Sequence, residues 1–110
     1  MNDILEDILL PKLRVVFCGT AASNKSAELK SYYAGPGNKF WKVLNQINLT
    51  PHLLLPQEYR ELLNYSIGLT DIAKKVHGND SEIKSSDYDT HAFRKKIETY
   101  QPKIICFNGK

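Results

Sequence analysis

The chain has 110 residues, enough for one hydrophobic core and too few for two domains. Charged residues make up 25% and hydrophobic ones 42%, the balance of a soluble globular protein, and no apolar run reaches the ~18 residues of a membrane helix. The net charge of +3 permits nucleic-acid binding without arguing for it. Its basic clusters, Lys74-Lys75 and Arg94-Lys95-Lys96, are short and read as solvated helix faces.

The N-terminus, Met1-Asn2-Asp3-Ile4-Leu5-Glu6, is acidic and does not read as a secretory signal, so a cytosolic place is expected. Residues 2–10 mix acidic and apolar residues, which predicts one or two helical turns closed by Pro11. Leu13 to Cys18 is β-branched and aromatic, a first strand buried on both faces. Residues 19–37 carry no periodic segment, and a loop this long inside a small domain tends to be functional or disordered. Phe40, Val43, Leu44 and Ile47 recur at i, i+3, i+4 and i+7, one face of a helix, with Asn38 as its N-cap. Pro56 begins a second helix containing Leu62-Leu63.

Ser66 to Thr70 is a short second strand with Asp71 at its carboxyl end. Residues 74–88, with Gly78-Asn79-Asp80-Ser81, form a polar surface loop. Residues 89–101 give a further helix with Phe93, Ile97 and Tyr100 on one face, and Lys103 to Phe107 a third strand. Helices between strands imply a parallel sheet. The fold class is therefore α/β, with helices around a small parallel central sheet. Cys18 and Cys106 lie in apolar runs and read as two buried free thiols; they supply no zinc or iron–sulfur ligand set. His52, His77 and His91 are isolated and expected at the surface. No metal site and no cofactor is expected.

A strand ending in small residues is how such folds build ligand sites, at the carboxyl end of a parallel strand. Here that stretch runs from Leu13-Arg14-Val15-Val16-Phe17-Cys18-Gly19 through Tyr32-Tyr33 to Pro36-Gly37-Asn38-Lys39-Phe40-Trp41-Lys42-Val43. These two blocks at this spacing resemble the mismatch-specific branch of the uracil–DNA glycosylase superfamily. The similarity continues through residues 54–63, Gly68-Leu69-Thr70 and Ile97-Glu98-Thr99-Tyr100-Gln101-Pro102, and so covers nearly the whole chain in order.

The resemblance implies one three-layer α/β/α domain over residues 1–110 that excises uracil, or a related deaminated or mismatched base, from double-stranded DNA in base-excision repair. The target nucleotide would be flipped into a pocket, and no metal or cofactor is needed. The family's first motif, Gly-Ile-Asn-Pro-Gly, falls on Gly19, Thr20, Ala21, Ala22 and Ser23, whose backbone donors would meet the base. Its water-positioning Asn is Ala21 here, and a methyl group cannot orient water. Another branch of the superfamily lacks that Asn and relies on an acid elsewhere; the nearest acid is Asp71, as general base or base-reader, with a helix N-cap as its bland alternative.

Tyr33 falls where the family stacks a Phe on the base; the other reading is a core or lid aromatic. Asn38 aligns with a family Asn, and its cap role alone also explains it. Ser23, Asn24, Lys25 and Ser26 are placed to contact a phosphate or to form a solvated loop. Phe40 and Trp41 read as packing residues. The family's second motif, around Asn-Pro-Ser, does not appear, so a C-terminally truncated domain is expected, with an uncovered third strand. Ala21 keeps a rival open, a catalytically silent nucleic-acid or nucleobase binding module.

Overall fold

The computed structural model describes residues 3–35, 37–78 and 83–108. Asn79-Asp80-Ser81 of the expected surface loop and Pro36 of the quoted motif lie outside them. The centre is a three-stranded, wholly parallel sheet of β1 (Val15–Gly19), β2 (Ile67–Asp71) and β3 (Ile104–Asn108), in the order β2-β1-β3. Parallel neighbours need crossovers long enough to turn the chain round. The first holds α1 (Asn24–Leu29), α2 (Phe40–Gln46) and a 3₁₀ segment (Pro56–Tyr65), and the second holds α3 (Thr90–Tyr100). The architecture is the α/β class that the alternation of strands and helices predicts.

Each helix starts at a side chain that can satisfy its first amides. Ser23 Oγ accepts from the Ser26 amide at 3.1 Å and opens α1. Asn38 Oδ1 accepts from the Phe40 amide at 2.9 Å at the start of α2. Glu58 accepts from the Leu55 amide at 2.8 Å across the beginning of the 3₁₀ segment, where Pro56 needs no amide partner. Asp89 Oδ1 accepts from the Ala92 amide at 3.0 Å and opens α3.

β1 and β2 are buried along their whole length. They form a core with Trp41, Leu44, Leu54, Tyr59 and Leu62. Trp41 Nε1 donates to the Tyr32 carbonyl at 3.2 Å, so the buried indole keeps a partner. The chain before β1 adds to this core. Ile8 pairs antiparallel with Leu69, the amide of each donating to the carbonyl of the other at 2.9 Å. A side chain at Gly68 would lie 2.6 Å from the Ile8 carbonyl oxygen, so the crossing requires glycine there.

Four expectations need correction. Residues 3–10 form no helix; Pro11 and the register of Leu5 and Ile8 favour an extended strap over β2. The segment after Gly19 contains the short helix α1, too brief for its period to show. Cys106 is exposed, because it stands on an edge strand that little covers. Lys74 is buried, held by carboxylates from two parts of the chain rather than solvated on a helix face. Cys18 is buried, and the three histidines are exposed, as expected.

Candidate active site

Parallel strands end on one edge of a sheet, and β1 and β2 end side by side: Gly19 pairs with Asp71. Beyond Gly19 the chain turns through Thr20–Ser23 into α1. The Ile72 and Ala73 amides donate to the Gly19 and Thr20 carbonyls at 3.0 and 2.8 Å, which ties the two strand ends together. A cavity of about 750 Å³ opens above this edge, a size suited to a small organic ligand or one nucleotide base with its sugar.

Every site residue expected from the sequence faces this one cavity: Gly19, Thr20, Ala21, Ala22, Ser23, Tyr33, Asn38 and Asp71. Residues from four separate parts of the chain thus converge. Val43 and Ile47, the exposed half of the apolar stripe of α2, also line it. That stripe is cavity wall as much as core.

Asp71 is the chemically distinctive group. Its side chain is buried. Among the described residues no donor hydrogen-bonds its carboxylate, and the nearest cation, Lys74 Nζ, stands 4.0 Å away. Burial pushes its pKa up to about 6; Lys74 opposes the rise, and the Asp7 charge adds to it. The reading of Asp71 as a helix cap has no support, since α3 is opened by Asp89. Gly19 is what admits the carboxylate, because a side-chain carbon on residue 19 would lie 2.6 Å from Asp71 Oδ1.

Behind Asp71 lies a network without a sequence signature. Asp7 takes Lys74 Nζ at 2.9 Å, Lys96 Nζ at 2.5 Å and Thr70 Oγ1 at 2.7 Å. Burial raises the Asp7 pKa, but Lys74 and the hydrogen bonds outweigh it and hold the carboxyl below its ordinary value. Lys74 Nζ also donates to Tyr32 Oη at 3.1 Å, and that hydroxyl donates to the Glu6 carbonyl at 2.9 Å. The only hint in the sequence is that Lys74 follows Asp71 by three residues. Asp7 arrives by packing of the N-terminal strap, which no local pattern announces.

Tyr33 stacks on Phe40, with ring centroids 4.0 Å apart and planes 27° from parallel. Phe40, expected only to pack, therefore covers one face of the Tyr33 ring and itself lines the cavity. Tyr33 has φ +52°, a left-handed conformation uncommon for an aromatic residue. It turns the ring inward, and its buried hydroxyl has the Asn108 side chain as a polar neighbour but makes no well-formed hydrogen bond among the described residues. Burial pushes the phenol pKa up, opposed by the Asn108 side chain. Asn38 lines the cavity and its side chain accepts from the Phe40 amide, but the N-cap of α2 is Lys39, one residue beyond the expected Asn38. Ser23 caps α1. Among the described residues no group of histidine, cysteine, aspartate or glutamate is arranged to hold a metal ion.

A buried strand-end carboxylate facing a glycine-led loop is suited to exchanging a proton with a small molecule held in the cavity. The family model of the uracil DNA glycosylase superfamily matches residues 7–110, from Asp7 of the buried network to the end of the chain, and the chain belongs to that superfamily.

Proposed function

We propose that this chain acts as a DNA N-glycosylase on uracil, or on a deaminated base of similar shape, in double-stranded DNA. Uracil opposite guanine, the substrate of the mismatch-specific branch, is the first candidate. The flipped base enters the cavity, where the backbone of Gly19–Ser23 cradles it and the open face of Tyr33 closes on it. Asp71 is the general base. The leaving base gains negative charge as the glycosidic bond stretches, and backbone donors of the loop stabilise it. Lys39 and Lys42, exposed at the cavity rim and on α2, supply charge for the DNA phosphates.

The observation that carries this reading is the Asp71 carboxylate: buried at the strand end, without a hydrogen-bond donor among the described residues, and facing the cavity. With a pKa of about 6 it is roughly nine-tenths ionised at pH 7 and still basic enough to accept a proton. It compensates for Ala21, whose methyl group faces the same cavity.

The test is a single-turnover assay on a labelled duplex holding uracil opposite guanine, with alkaline cleavage of the abasic product. Wild-type protein should release uracil, and Asp71→Asn should lose about 100-fold or more, the usual worth of a general base. Wild-type rates should rise with pH through about 6 and then level, because the carboxylate is the active form. Tight binding of this duplex with no cleavage at large protein excess would leave a silent binding module and overturn the proposal.

A further inference from the structure

Asp7 and Asp71 compete for one buried cation. Lys74 Nζ lies 2.9 Å from Asp7 Oδ1 and 3.1 Å from Tyr32 Oη, but 4.0 Å from Asp71 Oδ2. Two of its three ammonium hydrogens are thereby committed elsewhere, and the gap to Asp71 is about 1 Å too long for a hydrogen bond. Lys96 Nζ of α3 and Thr70 Oγ1 fix the same Asp7 carboxylate from other elements. The strap that carries Asp7 is itself pinned. The Ile4 amide donates to the Lys74 carbonyl at 2.8 Å, Tyr32 Oη donates to the Glu6 carbonyl at 2.9 Å, and Ile8 pairs with Leu69. A buried carboxylate beside a buried ammonium ordinarily forms a short, charge-assisted pair; here Asp7 takes that pair and Asp71 does not. The other ionisable groups acting on Asp71 are Lys96 of α3, Cys18 of β1, and Tyr32 and Tyr33 from the loop before α2. A second cavity, of about 240 Å³, joins Asp71 to Lys75 with its partner Asp3, and to Asp87 and Asp89.

We propose that Asp7 is a positioning residue for the candidate active site: it holds the Lys74 ammonium off Asp71 and so keeps Asp71 an unpaired carboxylate, free to take a proton. This rests on the reading of Asp71 as general base and deepens it. Burial raises the Asp71 pKa, Lys74 opposes the rise, and the Asp7 charge adds to it. Without Asp7, Lys74 keeps Tyr32 Oη as a neutral partner and turns its charge to Asp71. A carboxylate in direct contact with an ammonium is a weaker base, and one of its oxygens is occupied. The N-terminal strap thus does more than cover β2. It brings in the second carboxylate that decides how basic the first one is.

The test is the titration midpoint of Asp71, read by NMR of its carboxyl carbon, which needs no activity. Asp7→Asn should lower the midpoint by about one pH unit or more, and Lys74→Met should raise it. If Asp7 acts through Lys74, adding Asp7→Asn to Lys74→Met should move the midpoint less than about half as far as it does in the wild type. Lys74→Arg carries the test if Asp7→Asn does not fold. Its longer fork reaches Asp71 with Asp7 in place, so the midpoint should again fall. In the excision assay the rising limb of the pH profile should move with the midpoint, because only the carboxylate accepts the proton. A midpoint unmoved by Asp7→Asn, or by Lys74→Arg where that variant carries the test, overturns the positioning role. An equal fall with and without Lys74 does the same, since Asp7 would then act by its charge alone. Either result leaves the glycosylase reading standing. A wild type that cleaves nothing overturns the glycosylase reading, while the titration still decides whether Asp7 holds Lys74 off Asp71.

Discussion

The two flanks of the sheet are built from similar residues and meet opposite fates. β2 and β3 both pair with β1 in the same parallel sense, and both are five residues long. β2 is sealed: the N-terminal strap crosses it at Gly68, Ile8 pairs with Leu69, and Leu69 is 0% exposed. β3 is open: Ile104 is 60% and Phe107 61% exposed, although Phe107 leans on Phe93 of α3 at 5.9 Å between rings. Hydrophobicity alone therefore does not bury a strand; a covering element must arrive. The sealed flank also carries the proposed general base. Asp71 ends it, and its environment is made by Asp7 from the same strap that does the sealing.

Substitutions can break this contrast at several depths. Leu69→Ala should cost the most, about 3 kcal/mol, because the sealed flank cannot relax around the cavity it leaves; Ile104→Ala should change stability by less than about 0.5 kcal/mol. Chemical denaturation of the two variants checks the pair, and equal losses would contradict the difference in cover. Asp7→Asn should follow, costing about 2 kcal/mol, since it leaves Lys74 buried with a weaker partner.

Asp71→Asn should act in the opposite sense above pH 6. The folded-state pKa of Asp71, about 6, lies above its ordinary 3.8. Its contribution to stability is complete below 3.8 and is lost as pH rises through 6. Removing the charge should therefore stabilise the chain at pH 8 by roughly 1–3 kcal/mol and leave stability at pH 4 nearly unchanged. Asp7 has the contrary sign: its lowered pKa gives stability that is present above 3.8 and fades as pH falls below it. Melting curves from pH 3 to 8 should show both limbs in the wild type and only the acid limb in Asp71→Asn. The smallest expected effect is at the open flank, where Phe107→Ser should leave the fold intact and reduce self-association seen by sedimentation, because an uncovered apolar edge invites pairing.

The same contrast explains what the sequence disclosed. Val15-Val16-Phe17-Cys18 and Ile104-Ile105-Cys106-Phe107 both announce strands, because β-branched and aromatic runs fit a pleated sheet. Parallel pairing then carries Gly19 and Asp71 to one edge, which is why strand ends far apart in sequence are expected at one site. The burial of Cys18 and the exposure of Cys106 could not be told apart, since their local sequences are alike and only the neighbours differ. α1 escaped notice because six residues hold too few turns for a period. The Asp7–Lys74–Lys96 cluster escaped because ion pairs between distant segments leave no spacing rule.

Gly68 has a consequence for how such chains can diverge. Its missing side chain is the gap through which the Ile8 backbone passes, and Ile8 adjoins Asp7. A lineage that acquires a larger residue at position 68 must lift the strap, and Asp7 then leaves Lys74. Lys74 would lie buried with only the more distant Asp71 carboxylate, at 4.0 Å, so a change at 68 should be accompanied by changes at 7 and 74. Positions 7, 68 and 74 should therefore vary as a linked set among relatives, although no two of them are neighbours in sequence.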